Sequence, residues 1–345
     1  MISSSSIVKA NTSHSLQKRE ETALKKKGVS SLASPILRLC GHEDAIYGLD
    51  FSPSGDCLAS CSFDRTIFLW SVYGECKSYG VLRGHKNSIG SVRWVDNEKL
   101  VSCSADRNAA VWDAQSLSRI RQLKGHTSFV NDIAVSKNQF SFVAATVSDD
   151  RQLILWDIRT RHPQQFIAHR YPLLAVALSV EPDVVYCGGI DNRIYVWDLR
   201  KGSDSPLLEL VGHRDTLTGI DITNDACFLC SNSMDNTIRI WDVRPFFEGS
   251  DEERCLTILH GASHSFERNL LRCRFSSDGT LAGAGSADKF VYIWDVDSGE
   301  LQYALPGHDG SVNDIAFHPN ESLIASASSD KTIFIGEIET QDRIS

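Results

Sequence analysis

The stretch Gly212–Asp242, GHRDTLTGIDITNDACFLCSNSMDNTIRIWD, decides the fold, because most of the chain can be laid over it in register. A Gly-His pair opens it, and Asp235 stands six residues before Trp241. Two alternating apolar segments, 218–223 and 227–233, lead to a third at 237–243, separated by the turn pairs Asn224-Asp225 and Asp235-Asn236. That pattern predicts a three-strand antiparallel meander, with a fourth strand over 255–259 after a polar loop.

The same constellation recurs along the chain. Tryptophans occupy the corresponding place at 70, 112, 156, 197, 241 and 294, and an opening histidine lies 27 to 30 residues upstream of each: His42, His85, His126, His169, His213 and His264. A seventh, His308, leads to Gly336. An aspartate precedes each of these places by six residues, at 64, 106, 150, 191, 235, 288 and 330. Self-similarity at a period in the low forties is the mark of a stacked-repeat architecture.

Gly-His at the start of each unit and Trp-Asp near its end resemble the WD-repeat family. The resemblance covers nearly the whole chain and implies an all-β, seven-bladed WD-repeat β-propeller, each blade burying its faces on its neighbours. It further implies that Pro35–Leu39, which precedes the first Gly-His, supplies the outer strand of the last blade and closes the ring. On this reading residues 1–34 are a disordered Ser/Lys-rich tail, 35–338 the propeller and 339–345 a short polar tail.

Composition agrees with one soluble globular unit: 345 residues, 42% apolar, a formal charge of −9. Length alone suggests two domains, but a closed ring is one cooperative unit. Ten cysteines without a secretory signal imply reduced thiols, and the one close pair, Cys227 and Cys230, points to opposite faces of a strand and does not chelate a metal. No apolar run reaches the length of a membrane helix, so no membrane association is expected. Residues 1–34 hold five Lys and one Arg against two Glu, a charge of +4, which leaves −13 on the remainder. A propeller that acidic is a poor direct binder of phosphate backbones. The tail favours helix over Ser15–Lys27, and Lys25-Lys26-Lys27 with Lys18-Arg19 reads either as a nuclear import signal or as a solvated basic segment.

His, Ser and Asp recurring together imitate a hydrolase. The sets are His42, Ser60, Asp64 and Trp70; His85, Ser102, Asp106 and Trp112; and His213, Ser231, Asp235 and Trp241. In the family such a tetrad is structural: indole to hydroxyl, hydroxyl to imidazole, imidazole to carboxylate, satisfying buried polar groups while clamping strands. Departures fit that role, since position 146 is Thr, 187 is Cys, 284 is Ala and the last tryptophan is Gly336. No catalytic residue, metal site or cofactor site is expected, and no Gly-rich phosphate loop, HExxH or GxSxG motif occurs. Trp94 is assigned to the core and not to ligand stacking, and RPFFEGSDEER at 244–254 to a long exposed loop.

Within the family, WSVYGEC at 70–76, GHTSFVN at 125–131, GGIDNRIYVWDLR at 188–200, SMDNTIRIWDVRPF at 233–246, FERNLLRCRFSSDG at 266–279 and SASSDKTIFIGEI at 326–338 are similar to the WD-repeat subunits of the U5 small nuclear ribonucleoprotein. That resemblance implies a nuclear, non-enzymatic scaffold of pre-mRNA splicing. It would be a monomer within a larger complex, docked on the large U5 core scaffold protein among other spliceosomal proteins and associated only indirectly with U5 snRNA. A WD-repeat adaptor or a histone or degron reader in a different nuclear complex shares the fold. A G-protein β subunit would carry heptads before the first blade, and residues 1–34 have none. Family geometry places the docking surface on the narrower face around the channel, at Tyr47, Phe63, Phe129, Leu174, Ile190, Met234 and Leu271.

Overall fold

In the fifth repeat the chain forms strands Leu217–Ile222, Phe228–Ser233, Thr237–Asp242 and Cys255–His260, called a to d, hydrogen-bonded in that order into one antiparallel sheet. The pattern behind them is alternation on a pleated surface buried on both faces, so strands a to c are almost wholly buried and only d alternates with solvent. This computed structural model describes residues 32, 34–74, 76–136, 142–180, 183–201, 205–267 and 269–338. The expectations for the remaining N-terminal residues, including the helix-favouring and import readings, and for the polar tail 339–345 lie outside the described residues.

Seven such four-stranded sheets make a seven-bladed propeller. The seven a strands, Ile46–Phe51, Ile89–Trp94, Val130–Val135, Leu173–Leu178, Leu217–Ile222, Cys273–Phe275 and Val312–Phe317, line its axis, each against the next and the last against the first. One apolar cluster fills each of the seven spaces between neighbouring blades. In blade 7 the outer strand is Ile36–Cys40, antiparallel to Thr332–Glu337 with Ile36 opposite Gly336 and Cys40 opposite Thr332. Strands from the two ends of the described chain therefore share one sheet, and Leu39 joins the core between blades 7 and 1.

The two faces of the ring differ in what they carry. One, the tetrad face, bears the connections into strand a and the b–c turns that hold the recurring aspartates. The other, the far face, bears the a–b and c–d loops. At each b–c turn the residue after the aspartate is left-handed, with φ between 62° and 79° at Arg65, Arg107, Arg151, Asn192, Asn236, Lys289 and Lys331. The aspartate stabilises this tight turn, Asp64 Oδ1 accepting the Thr66 N–H at 2.9 Å.

Six of the seven a strands carry a β-bulge near the tetrad face, at residues 47, 90, 131, 174, 218 and 313. A bulge re-aims a side chain out of the pleat. Here Tyr47 at the first bulge reaches the ring's mouth, and Asn131, Thr218 and Asn313 at three others bond across to the next blade, Asn313 Nδ2 reaching the Ile46 carbonyl at 2.7 Å. Blade 6 has no bulge, since its a strand begins only at Cys273.

The channel is filled by charge. Arg272 is buried and lies 3.0 Å from Asp132, also donating to Ser91 Oγ and to the carbonyls of Gly90 and Asn131. Arg274 lies 3.6 Å from Asp314. Strand-a aspartates also clamp the following blade: Asp50 accepts the Trp94 N–H, Asp132 that of Val176, Asp221 that of Phe275 and Asp314 that of Leu49. Buried charges persist only when paired in this way.

Candidate functional site

Three tetrads join strands within one blade as their residue types require. His42 Nδ1 lies 2.8 Å from Asp64 Oδ2, its Nε2 2.8 Å from Ser60 Oγ, and Trp70 Nε1 donates to Ser60 at 2.9 Å. The corresponding bonds of His85, Asp106, Ser102 and Trp112, and of His213, Asp235, Ser231 and Trp241, measure 2.7 to 3.0 Å. In blade 3 Thr146 takes the serine's place between His126 and Trp156. His308 bonds Asp330 and Ser326 without an indole, and the Phe334 ring packs edge-on against it at 4.7 Å.

Burial pushes the imidazoles of His126, His213 and His308 down, below the ordinary histidine value. Burial alone would raise the Asp64, Asp106 and Asp235 carboxyls, yet hydrogen bonds from the facing histidines and from backbone N–H groups hold them well below the usual carboxylate range. Ser60, Ser102 and Ser231 are fully buried and already occupied on both sides. No substrate reaches such a hydroxyl.

Two blades depart. In blade 4 a thiol, weak as donor and acceptor, replaces the hydroxyl: His169 Nε2, Trp197 Nε1 and Asp191 Oδ1 are buried without a hydrogen-bond partner, and Tyr195 takes Asp191 Oδ2 at 2.7 Å. In blade 6 the histidine assignment is corrected. Gly261-Ala262, not a Gly-His pair, follows strand d of blade 5, and buried Ala262 stands where His213 stands in blade 5. His264 falls in the longer loop beyond and faces Asn232 of blade 5 at 3.3 Å, while Trp294 donates to the His260 carbonyl.

On the tetrad face the structure brings Tyr47, Phe63 and Phe129 to one cleft at the channel mouth, with Asn131, Asn269, Leu270 and the buried Arg272 in its walls. Tyr47 and Phe63 meet edge-to-face at 6.3 Å. Phe63 and Phe129 are each 50% exposed, more than packing demands of a phenylalanine. Ile190 is exposed, and Leu174 and Met234 are half-buried, but none of the three lines the cleft. Leu271 does not belong on this surface. It is buried, its carbonyl accepting bonds from Thr218 and Asn232 of blade 5, and Leu270 lines the cleft in its stead. Residue 271 precedes the a strand of blade 6, which begins only at Cys273, and those two bonds tie its backbone to blade 5.

Sequence reasoning missed Leu270 and also Phe266, fully exposed in the 261–269 loop. It treated Phe246 and Phe247 alike, whereas Phe246 is exposed and Phe247 is covered by the Arg254 guanidinium, 4.8 Å from its ring. Trp94 is buried, its indole bonded to the Asp50 carbonyl at 3.1 Å. Cys230 is buried with its sulfur 3.5 Å from that of Cys273, and no group of residues able to hold a metal occurs among the described residues.

Seven blades with this recurring tetrad match the WD domain, G-beta repeat model at residues 33–71, 76–113, 117–157, 161–198, 204–242, 253–295 and 299–335. The chain belongs to that WD-repeat family. Among curated WD-repeat relatives it is 42% identical to the U5 small nuclear ribonucleoprotein 40 kDa protein of Dictyostelium discoideum, over 92% of this chain and 89% of the relative. It is 47% identical to the protein of the same name of Homo sapiens, over 90% of this chain and 85% of the relative. Identity to the pre-mRNA-splicing factor cwf17 of Schizosaccharomyces pombe is 44%, over 90% and 89%.

Proposed function

We propose that this protein is a non-enzymatic scaffold subunit of the U5 small nuclear ribonucleoprotein, acting in pre-mRNA splicing in the nucleus. The observation that carries the reading is the 42% to 47% identity, extending across nine-tenths of the chain, to relatives named as U5 ribonucleoprotein and splicing proteins. In this reading the large U5 core scaffold protein docks at the tetrad-face cleft of Tyr47, Phe63 and Phe129, other spliceosomal proteins surround the ring, and U5 snRNA is held indirectly. An apolar, aromatic-bearing cleft rimmed by polar residues suits a protein partner with a few anchoring side chains. The tetrads keep blades in register and turn over no substrate.

Affinity purification of the tagged full chain from nuclear extract, read by mass spectrometry, tests this. The expected result is co-purification of U5 proteins in near-equal amounts. Recovery of chromatin or ubiquitin-ligase factors without U5 proteins would instead make the chain an adaptor or reader in a different nuclear complex.

A further inference from the structure

The far mouth of the channel is also a basin. Phe51, Pro53, Trp94, Phe275 and Phe317 give it apolar walls, and Asp50, Asp221, Arg93 and Arg274 stand among them in balanced charge. Asp50 Oδ2 accepts the Trp94 N–H at 2.7 Å. On one side of this basin the face has a single sign of charge. The far-face loops of blades 6 and 7, residues 276–280, 295–300, 318–322 and 337–338, hold Asp278, Asp295, Asp297, Glu300, Glu321 and Glu337 and no lysine or arginine. His318, the one other titratable side chain there, is pushed down by burial and stays neutral.

The N-terminal segment enters the fold on this same side. Because Ile36 lies opposite Gly336, and Thr332 follows the tetrad turn of Asp330, strand Ile36–Cys40 begins at the far face and climbs to the tetrad face. Leu32 packs against the cluster between blades 7 and 1. Residues 18–27, KREETALKKK, hold five basic residues against two glutamates, beside Leu24. Three inter-strand spacings, about 14 Å, separate the outer strand of a blade from its strand a. The five residues from Leu32 back to Lys27 reach up to about 17 Å.

We propose that the far-face basin is occupied by the chain's own basic segment, Lys18–Lys27, with Leu24 on the apolar walls and Lys25–Lys27 against the acids of blades 6 and 7. Such a contact leaves the tetrad face free for its partner.

Zero-length carbodiimide cross-linking of the full chain, followed by peptide mass spectrometry, reads the contact. The Lys99–Asp96 pair, 3.5 Å apart, reports that the reagent has worked. The expected result is links at monomer mass from Lys25, Lys26 or Lys27 to Asp278, Asp297 or Glu300. They should fall about tenfold in about 1 M salt, where the screening length is about 3 Å. In the full-length double variant Asp297→Lys with Glu300→Lys, links to Asp278 should fall several-fold as well. Tail links to Glu43 or Asp44 on the tetrad face, tail links found only at dimer mass, or no tail links where Lys99–Asp96 is linked would each overturn the proposal. The purification of U5 proteins is read on the other face and fails or succeeds independently.

Discussion

At the scale of the residue, each clamp stands or falls with one hydroxyl and one carboxylate. Asp235→Ala strips the acceptor from a buried imidazole and from the Arg214 N–H. We expect it to cost roughly 1 to 3 kcal/mol by denaturant unfolding. Blade 4 offers the converse: Cys187→Ser places a hydroxyl where His169 Nε2 and Trp197 Nε1 lack partners, and should raise stability by about 1 kcal/mol. A lowered melting temperature for that variant would show that the site does not accommodate a bridging hydroxyl. The tetrads were legible because each residue type recurs at a fixed offset. His264 was not, since it is the nearest histidine to the expected place but belongs to an inserted loop. The informative signal was Gly261, which follows strand d of blade 5 as Gly212 follows that of blade 4.

At the scale of the element, alternation and turn pairs located the strands of blade 5 to within a residue or so, because a pleated strand buried on both faces has little latitude in register. Bulges left no such trace. Residue 47 reaches the mouth from a bulge, whereas Leu271, ahead of a strand that begins only at Cys273, is buried. The strand Ile36–Cys40 completes blade 7 with a full ladder. Deleting residues 1–30 should therefore leave the melting temperature nearly unchanged, whereas deleting 1–40 should lower it sharply or yield insoluble protein, by exposing strand Thr332–Glu337 as an unpaired edge. Equal melting temperatures for the two truncations would show that this strand contributes little.

At the scale of the whole molecule, the buried titratable groups set a pH profile. His126, His213 and His308 are held below their ordinary value and His264 is pushed down to about 4, burial being the main cause in each. The unfolded chain then binds protons that the folded one refuses, so stability should fall as pH drops below about 6.5. Asp50 works in the opposite sense. Burial raises its carboxyl to about 7, so its contribution is present at low pH and lost as pH rises through that value. Asp50→Asn should accordingly gain on wild type between pH 5 and pH 8 in thermal melts, and a constant difference would show that the carboxyl does not titrate there.

The proposed docking face was chosen from positions in the repeat, and the structure gathers Tyr47, Phe63 and Phe129 of that set into one cleft. The most direct test of the account replaces the two half-exposed phenylalanines. Phe63→Asp combined with Phe129→Asp should abolish co-purification of the large U5 scaffold protein while the circular dichroism spectrum and melting temperature stay near wild type. Undiminished recovery of that protein by the folded double variant, with loss on changing Phe246 instead, would contradict it.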